Sequence, residues 1–124
     1  RDAVKWYALA AAQGLAKAQH NLGLMYDKGE GVPKDDKEAV TWYRRAAEQG
    51  DAFAQNNLGF MYEYGEGVLQ NYVLAHMWFN ISSLNGHKKS KQNYEIIEKK
   101  MSASQIEKAQ RLATECMKKN YKGC

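Results

Sequence analysis

The residues that could do chemistry are few, and their spacing matches no catalytic site. No serine begins a Ser-x-x-Lys nucleophile motif, because the residue three positions later is never lysine. The pairs are Ser82 with Asn85, Ser83 with Gly86, Ser90 with Asn93, Ser102 with Gln105 and Ser104 with Glu107. The chain has two cysteines and three histidines, too few and too scattered for a metal site. We therefore expect no enzyme, no metal and no cofactor.

Two glycine-rich segments also fail as ligand sites. Gly29-Glu30-Gly31 and Gly65-Glu66-Gly67 each follow a predicted helix rather than a strand, so they are not phosphate-binding loops. Glu30 and Glu66 are copies of one position, so their pairing does not indicate acid–base catalysis.

These copies belong to a repeat of 36 residues. When residues 1–36 are laid over residues 37–72 without a gap, 20 of the 36 positions are identical. A fixed period of about 20–50 residues is typical of a solenoid, in which each unit packs on its neighbours.

Each repeat predicts two helices. One type is rich in alanine, carries an aromatic pair and ends at a glycine, at about 2–13, 36–49 and 71–85. The other type, at about 15–28 and 51–64, has apolar residues three and four positions apart. Gly23 and Gly59 lie in the middle of this second type, where a missing Cβ would let a neighbouring helix approach closely.

The end of the chain departs from the repeat. Gly86 and Asn93 keep the register, and an amphipathic helix at about 103–119 begins at a predicted capping box of Ser102 and Gln105. One apolar and one charged face suit a terminal cap. We predict an all-α solenoid of about seven helices in one block. Its parts are the second helix of a truncated repeat at 1–14, repeats at 15–50 and 51–86, and a divergent last repeat with its cap at 87–124.

Fourteen positions of the repeat have a fixed residue type and spacing. They are Ala18, Leu22, Gly23, Tyr26, Gly29, Gly31, Val32, Asp35, Ala39, Trp42, Tyr43, Ala46, Ala47 and Gly50. The pattern resembles the Sel1-like repeat family, relatives of the tetratricopeptide repeats. The resemblance implies a right-handed superhelix of antiparallel helix pairs that serves as an adaptor or scaffold. It also implies the C-terminal part of a bacterial protein that is periplasmic or secreted.

The resemblance bears on the two cysteines as well. Some secreted bacterial members of the family carry a disulfide between cysteines with seven residues between them, as Cys116 and Cys124 have. A disulfide and two free thiols both remain open from the sequence. A disulfide would place the protein in an oxidising compartment.

The predicted binding surface is the concave groove lined by the first helix of each unit. On that helix the packing residues are the same in each copy, whereas the residues of the opposite face differ. Such variation is typical of a binding surface. The predicted groove for a protein or peptide contains Lys17, His20, Leu24, Lys28, Phe53, Asn56, Phe60, Glu63, Tyr64, Lys89 and Gln92. Its aromatic residues offer apolar pockets, its amides and histidine offer hydrogen bonds, and its lysines can receive carboxylates. The alternative is that the aromatics are interhelix core and the polar residues plain surface.

Charge is unevenly distributed. Residues 1–84 carry 8 Lys/Arg against 10 Asp/Glu, and residues 85–124 carry 10 against 4. The net +6 of the second part suits either an acidic partner or a solvated basic cap. No apolar run is long enough for membrane insertion. The helix at 2–13 lacks a hairpin partner, which predicts self-association through the N-terminal end.

We expect a non-catalytic binding module without a nucleic-acid partner. The alternatives are a structural spacer of a longer repeat protein, an RNA-binding helical repeat, and a weak β-lactam hydrolase. The last comes from the resemblance alone, since such activity has been described for some relatives.

Overall fold

The computed structural model describes residues 2–124, and all regular secondary structure within them is α-helical. The helices are α1 (Asp2–Ala12), α2 (Ala16–Lys28), α3 (Asp36–Ala47), α4 (Ala52–Tyr64), α5 (Tyr72–Leu84), α6 (Lys89–Glu98) and α7 (Ala103–Lys118). The predicted all-α fold of seven helices is confirmed. None of these helices combines the length and the apolar character that crossing a membrane requires.

The helices pack as hairpins stacked side by side. Helix α2 packs most extensively on α3, and α4 on α5, while α3 and α4 join the two hairpins. Helix α5 also contacts α6 and α7, so it lies at the centre of the C-terminal part. The result is a helical solenoid in which α2 and α4 are the first helices of complete hairpins. Helix α6 occupies the equivalent position in the last unit, but α6 and α7 both pack chiefly on α5.

The two mid-helix glycines allow close packing within each hairpin. A Cβ built on Gly23 would lie 2.7 Å from ring carbons of Tyr43, and one built on Gly59 would lie 2.7 Å from ring carbons of Phe79. Both aromatic residues are fully buried. The close approach expected from the sequence is confirmed, and its partner is the second residue of the repeated aromatic pair.

Side-chain caps define where the helices begin. The carboxylates of Asp35 and Asp51 and the amide oxygen of Asn71 each accept a hydrogen bond from a backbone N–H in the first turn of the following helix. Ser102 and Gln105 form the predicted capping box at the start of α7.

A ladder of polar side chains links successive units. The amide of Gln19 donates to the carbonyl of Ala11, and that of Gln55 donates to the carbonyl of Ala47. The amide oxygens of these glutamines accept hydrogen bonds from Gln49 and Asn85, respectively. The same arrangement at the same positions satisfies polar groups near the helix ends.

The C-terminal segment folds back over the ladder. Cys116 and Cys124 are joined by a disulfide. The hydroxyl of Tyr121 donates to Asn85 at 3.1 Å, and the Tyr121 ring lies against Gly50. The disulfide-closed end of the chain therefore contacts the turns that follow α3 and α5.

The opposite end of the solenoid is less covered. Trp6 in α1 is 73% exposed, whereas Trp78 at the equivalent position of α5 is 0% exposed. Helix α1 packs chiefly on α2 and contributes to a small apolar cluster that is separate from the main core.

Candidate protein-binding groove

One surface stripe runs across the three first helices of the solenoid, and we call it the groove face. Its positions recur every 36 residues, so each row contains one residue from α2, one from α4 and one from α6. The rows are Lys17, Phe53 and Lys89; Asn21, Asn57 and Asn93; Leu24, Phe60 and Ile96; and Lys28, Tyr64 and Lys100. The side chains of His20 and Gln92 border it.

Aromatic side chains concentrate on the α4 part of the groove face. Phe53 is 60% exposed, and Tyr64 is similarly exposed at the other end of the helix. Phe60 is half-buried, packing edge-on against Phe79 and stacked beside Tyr64 with ring centroids 6.3 Å apart. Phe60 thus belongs partly to the core, as the alternative held, whereas Phe53 and Tyr64 face solvent.

Phe53 lies between two histidines that come from the neighbouring units. Its ring centroid is 5.8 Å from that of His20 and 5.0 Å from that of His87, the latter in an edge-to-face arrangement. A pocket of about 350 Å³ opens beside it, lined by Lys17, His20, Asn21, Asp51 and Phe53. The structure thus brings together the predicted residues Lys17, His20 and Phe53.

His20 is held in a defined state at this pocket. The Asn57 side-chain amide nitrogen lies 3.1 Å from His20 Nε2, so Nε2 accepts that hydrogen bond when the imidazole is neutral. Burial lowers the pKa of His20, and the negative charge of Asp51 opposes that shift only in part. At neutral pH His20 therefore presents an uncharged aromatic ring to the pocket.

Two predicted groove residues lie beneath the groove face instead. Asn56 is 7% exposed, and its amide oxygen is 2.7 Å from the hydroxyl of Ser90 and 2.9 Å from the amide nitrogen of Asn93. Glu63 is also 7% exposed. The expectation that Asn56 and Glu63 line the groove is wrong, because the helix–helix contacts turn this side of α4 inward.

The burial of Glu63 has an electrostatic consequence. Its counterpart Asp27 in the preceding repeat accepts a hydrogen bond from the Tyr43 hydroxyl at 2.9 Å. The residue equivalent to Tyr43 is Phe79, which has no hydroxyl to offer Glu63. Burial raises the pKa of Glu63, and the charge of Lys100 only partly counteracts this.

The other predicted groove residues remain at the surface. Lys17, Lys28, Lys89 and Gln92 are exposed, and Leu24 is half-buried against the core. Sequence reasoning missed Asn57 and His87, which hold His20 and Phe53. The asparagines of the groove face recur in all three units, so they resembled framework residues. No histidine occupies the position equivalent to His87 in the other units, so the repeat pattern did not identify it as a site residue.

A serine and a histidine do come together, but below the surface. Ser90 Oγ lies 3.0 Å from His87 Nδ1 and 2.9 Å from Ser82 Oγ. Ser90 is completely buried, so a substrate cannot reach its hydroxyl. Within residues 2–124, no three His, Cys, Asp or Glu side chains are grouped closely enough to hold a metal ion.

Comparisons with known proteins agree with this architecture. A protective antigen of uropathogenic Escherichia coli that displays an SLR fold is 40% identical, with a TM-score of 0.90 over 95% of this chain. A Sel1 repeat protein from Oxalobacter formigenes is 41% identical, with a TM-score of 0.73 over 76% of this chain. This chain spans only 26% and 39% of those two chains, respectively. A search of curated proteins gave no match.

The family comparison covers most of the sequence. The model of the Sel1 repeat matches residues 1–15, 16–51 and 52–87. These matches include both hairpins that carry Gly23 and Gly59, and the groove face on α2 and α4. The chain belongs to the Sel1 repeat family.

Proposed function

We propose that this chain is a non-catalytic module that binds a protein or peptide on its groove face. Sel1 repeats generally mediate protein interactions, and that property of the family supports the proposal. The observation that carries it is the exposed ring of Phe53 beside a pocket of about 350 Å³.

The chemistry of the groove face suits a polypeptide. Aromatic side chains are prominent among residues that dominate binding energy at protein interfaces. Phe53 and Tyr64 supply such side chains from one helix. The helix itself is fixed by buried contacts that recur in each unit, so a ligand would meet a preorganised surface.

Selection from a random peptide library displayed on phage tests this proposal without assuming a partner. We expect the wild-type chain to enrich peptides whose binding falls at least about tenfold when Phe53→Ala and Tyr64→Ala are combined. Both residues are exposed, so circular dichroism should give a nearly unchanged melting temperature for the double variant.

The matched control is Leu84→Ala on α5, because Leu84 is 62% exposed but lies outside the groove face. It should leave the affinity for the selected peptides unchanged. Enriched peptides that bind the Phe53/Tyr64 double variant as tightly as wild type would contradict the proposal.

The α1 end supports a second candidate interaction, self-association. Trp6, Leu9 and Leu15 are all exposed there, next to a pocket of about 470 Å³. Sedimentation velocity over a range of concentrations should detect dimers that Trp6→Ala weakens. A strictly monomeric profile at high concentration would exclude this candidate.

We also propose that the protein functions in an oxidising compartment, periplasmic or extracellular. The disulfide between Cys116 and Cys124 supports this. Titration of protein isolated under non-reducing conditions and then denatured should find no reactive thiol. Two reactive thiols would contradict the assignment.

A further inference from the structure

We propose that the groove face binds an extended acidic segment with an apolar side chain midway between two carboxylates. The apolar side chain enters the pocket between His20 and Phe53, and the carboxylates meet the lysines on either side. This inference rests on the proposed function and specifies the class of ligand.

The arrangement of charge around Phe53 points to the acidic partner. Lys17 and Lys89 occupy the same row as Phe53, one unit before and one unit after it, and Lys88 adjoins Lys89. All three lysines are exposed, and their side chains form neither a hydrogen bond nor a salt bridge within residues 2–124. The row therefore presents two unneutralised positive ends with an exposed aromatic ring between them.

The pocket itself favours an apolar side chain. Its volume of about 350 Å³ is at the low end for ligand sites, which span about 300–1,000 Å³, so it fits one large side chain. Asp51 is the negative group on its wall, and its carboxylate caps α4 by accepting a hydrogen bond from the Ala54 N–H at 2.9 Å. A carboxylate of the ligand would be repelled here and is accommodated at the lysines instead.

A hydrogen-bonding group for the ligand backbone lies on the same wall. Asn57 and Asn93 each contact the preceding unit, at His20 and Asn56 respectively. Asn21 is their counterpart in the first unit, and its side chain makes no hydrogen bond in the part of the chain that the structure describes. Its amide can both donate to and accept from an extended peptide.

The repeat geometry sets the spacing of the ligand. Side chains of successive units meet at Phe53, which contacts both His20 and His87. Taking about 10 Å between neighbouring units, we expect the two ends of the row to be separated by about 20 Å. An extended chain advances about 3.3 Å per residue, which places the two carboxylates about six residues apart. The apolar residue then lies about three residues from each.

Fluorescence anisotropy with a labelled synthetic peptide tests this directly. The probe is acetyl-Glu-Gly-Ser-Phe-Ser-Gly-Glu-amide, and its controls replace both glutamates by lysine or the phenylalanine by glycine. We expect the probe to bind and neither control peptide to bind. Binding of the probe should be lost at about 1 M salt, where charges are screened within about 3 Å. If the probe does not bind, or both controls bind equally well, the inference is wrong.

Variants assign the binding to the row. Combining Lys17→Glu with Lys89→Glu should lower the affinity for the probe at least about tenfold, because both lysine–carboxylate pairs become repulsive. Lys108 is an exposed lysine of α7 outside the groove face, so Lys108→Glu should change the affinity for the probe little. Unchanged affinity in the Lys17/Lys89 variant would overturn the inference.

The library selection separates this inference from the proposed function. Selected peptides that depend on Phe53 but lack acidic residues would overturn the inference and leave the proposed function standing. If no selected peptide depends on Phe53 and Tyr64, both fail. A single-stranded oligonucleotide that displaces the probe and binds more tightly would overturn the inference in favour of nucleic acid.

Discussion

At the scale of single residues, the mid-helix glycines have opposite effects on local and tertiary stability. Replacing a helical glycine by alanine favours the isolated helix by about 1 kcal/mol. At Gly59, however, the added methyl group would lie 2.7 Å from the Phe79 ring. Overpacking of this kind costs about 1–3 kcal/mol, so packing should outweigh helix propensity.

We therefore expect Gly59→Ala to lower the free energy of unfolding, measured by urea denaturation. Combining it with Phe79→Leu should cost less than the sum of the two single changes, because the smaller side chain relieves the contact. A Gly59→Ala variant more stable than wild type would show that the helices move apart without cost.

Glu63 provides a pH-dependent prediction. Burial raises the pKa of Glu63 in the folded state above its value in the unfolded chain. Below both values the carboxyl is neutral and causes no penalty, and the penalty develops as pH rises through the raised folded pKa. Glu63→Gln should therefore increase the free energy of unfolding at neutral pH, and its advantage should disappear at acidic pH.

The comparison needs an exposed carboxylate nearby, and Glu66 in the following turn provides one. Because the Glu66 side chain is exposed, Glu66→Gln should change the free energy of unfolding at neutral pH much less than Glu63→Gln does, as measured by denaturant titration. If the difference in free energy of unfolding between Glu63→Gln and wild type does not vary with pH, the carboxyl is not desolvated in the folded protein.

Two adjacent asparagines of α4 were not distinguished by the sequence. The sequence identified the variable face of α4 but assigned Asn56 to it, whereas the amide on the groove face is that of the adjacent Asn57, which is half-buried and hydrogen-bonded to His20. Successive residues differ by about 100° around a helix, and both neighbours are polar asparagines, so periodicity alone does not decide between them. The packing of α4 against its neighbours determines which one lies on the groove face.

At the scale of secondary structure, most of the fold was predictable. Repeated apolar spacing and capping residues predicted seven helices, because those signals are local. The contacts that residues 119–124 make with Gly50 and Asn85 were not predictable, because both of these residues are far away in sequence. Two successive left-handed residues, Asn120 and Tyr121, also fall where glycine would be the usual signal.

The C-terminal disulfide should stabilise this fold-back. Closing a loop of this length contributes about 2.5 kcal/mol in the chain-entropy model. Replacing both Cys116 and Cys124 by serine should lower the melting temperature and release Tyr121 from Asn85. Tyr121→Phe, which removes only the hydroxyl, should have a smaller effect in the same thermal scan. Equal melting temperatures for the serine variant and wild type would contradict this role.

At the scale of the whole molecule, stability should be graded along the solenoid, because each unit is stabilised mainly by its neighbours. The main core extends from α3 to the C-terminal disulfide, and α2 packs against it through Ala16, Leu24 and Tyr26, whereas α1 packs chiefly on α2 in a small separate cluster. We therefore expect backbone amides of α1 to exchange with deuterium first and those of α4 and α5 last.

Hydrogen exchange followed by mass spectrometry would measure this gradient, and two protein concentrations would separate its causes. In dilute solution, where the protein does not self-associate, the backbone amides of α1 should exchange rapidly. At high concentration, slower exchange confined to α1 would indicate self-association through Trp6 and its neighbours. Gly59→Ala should speed exchange in α4 and α5 while leaving α1 unchanged, because α1 is already the least stable part. Uniform protection from α1 to α5 in dilute solution would mean that the chain unfolds as a single cooperative unit.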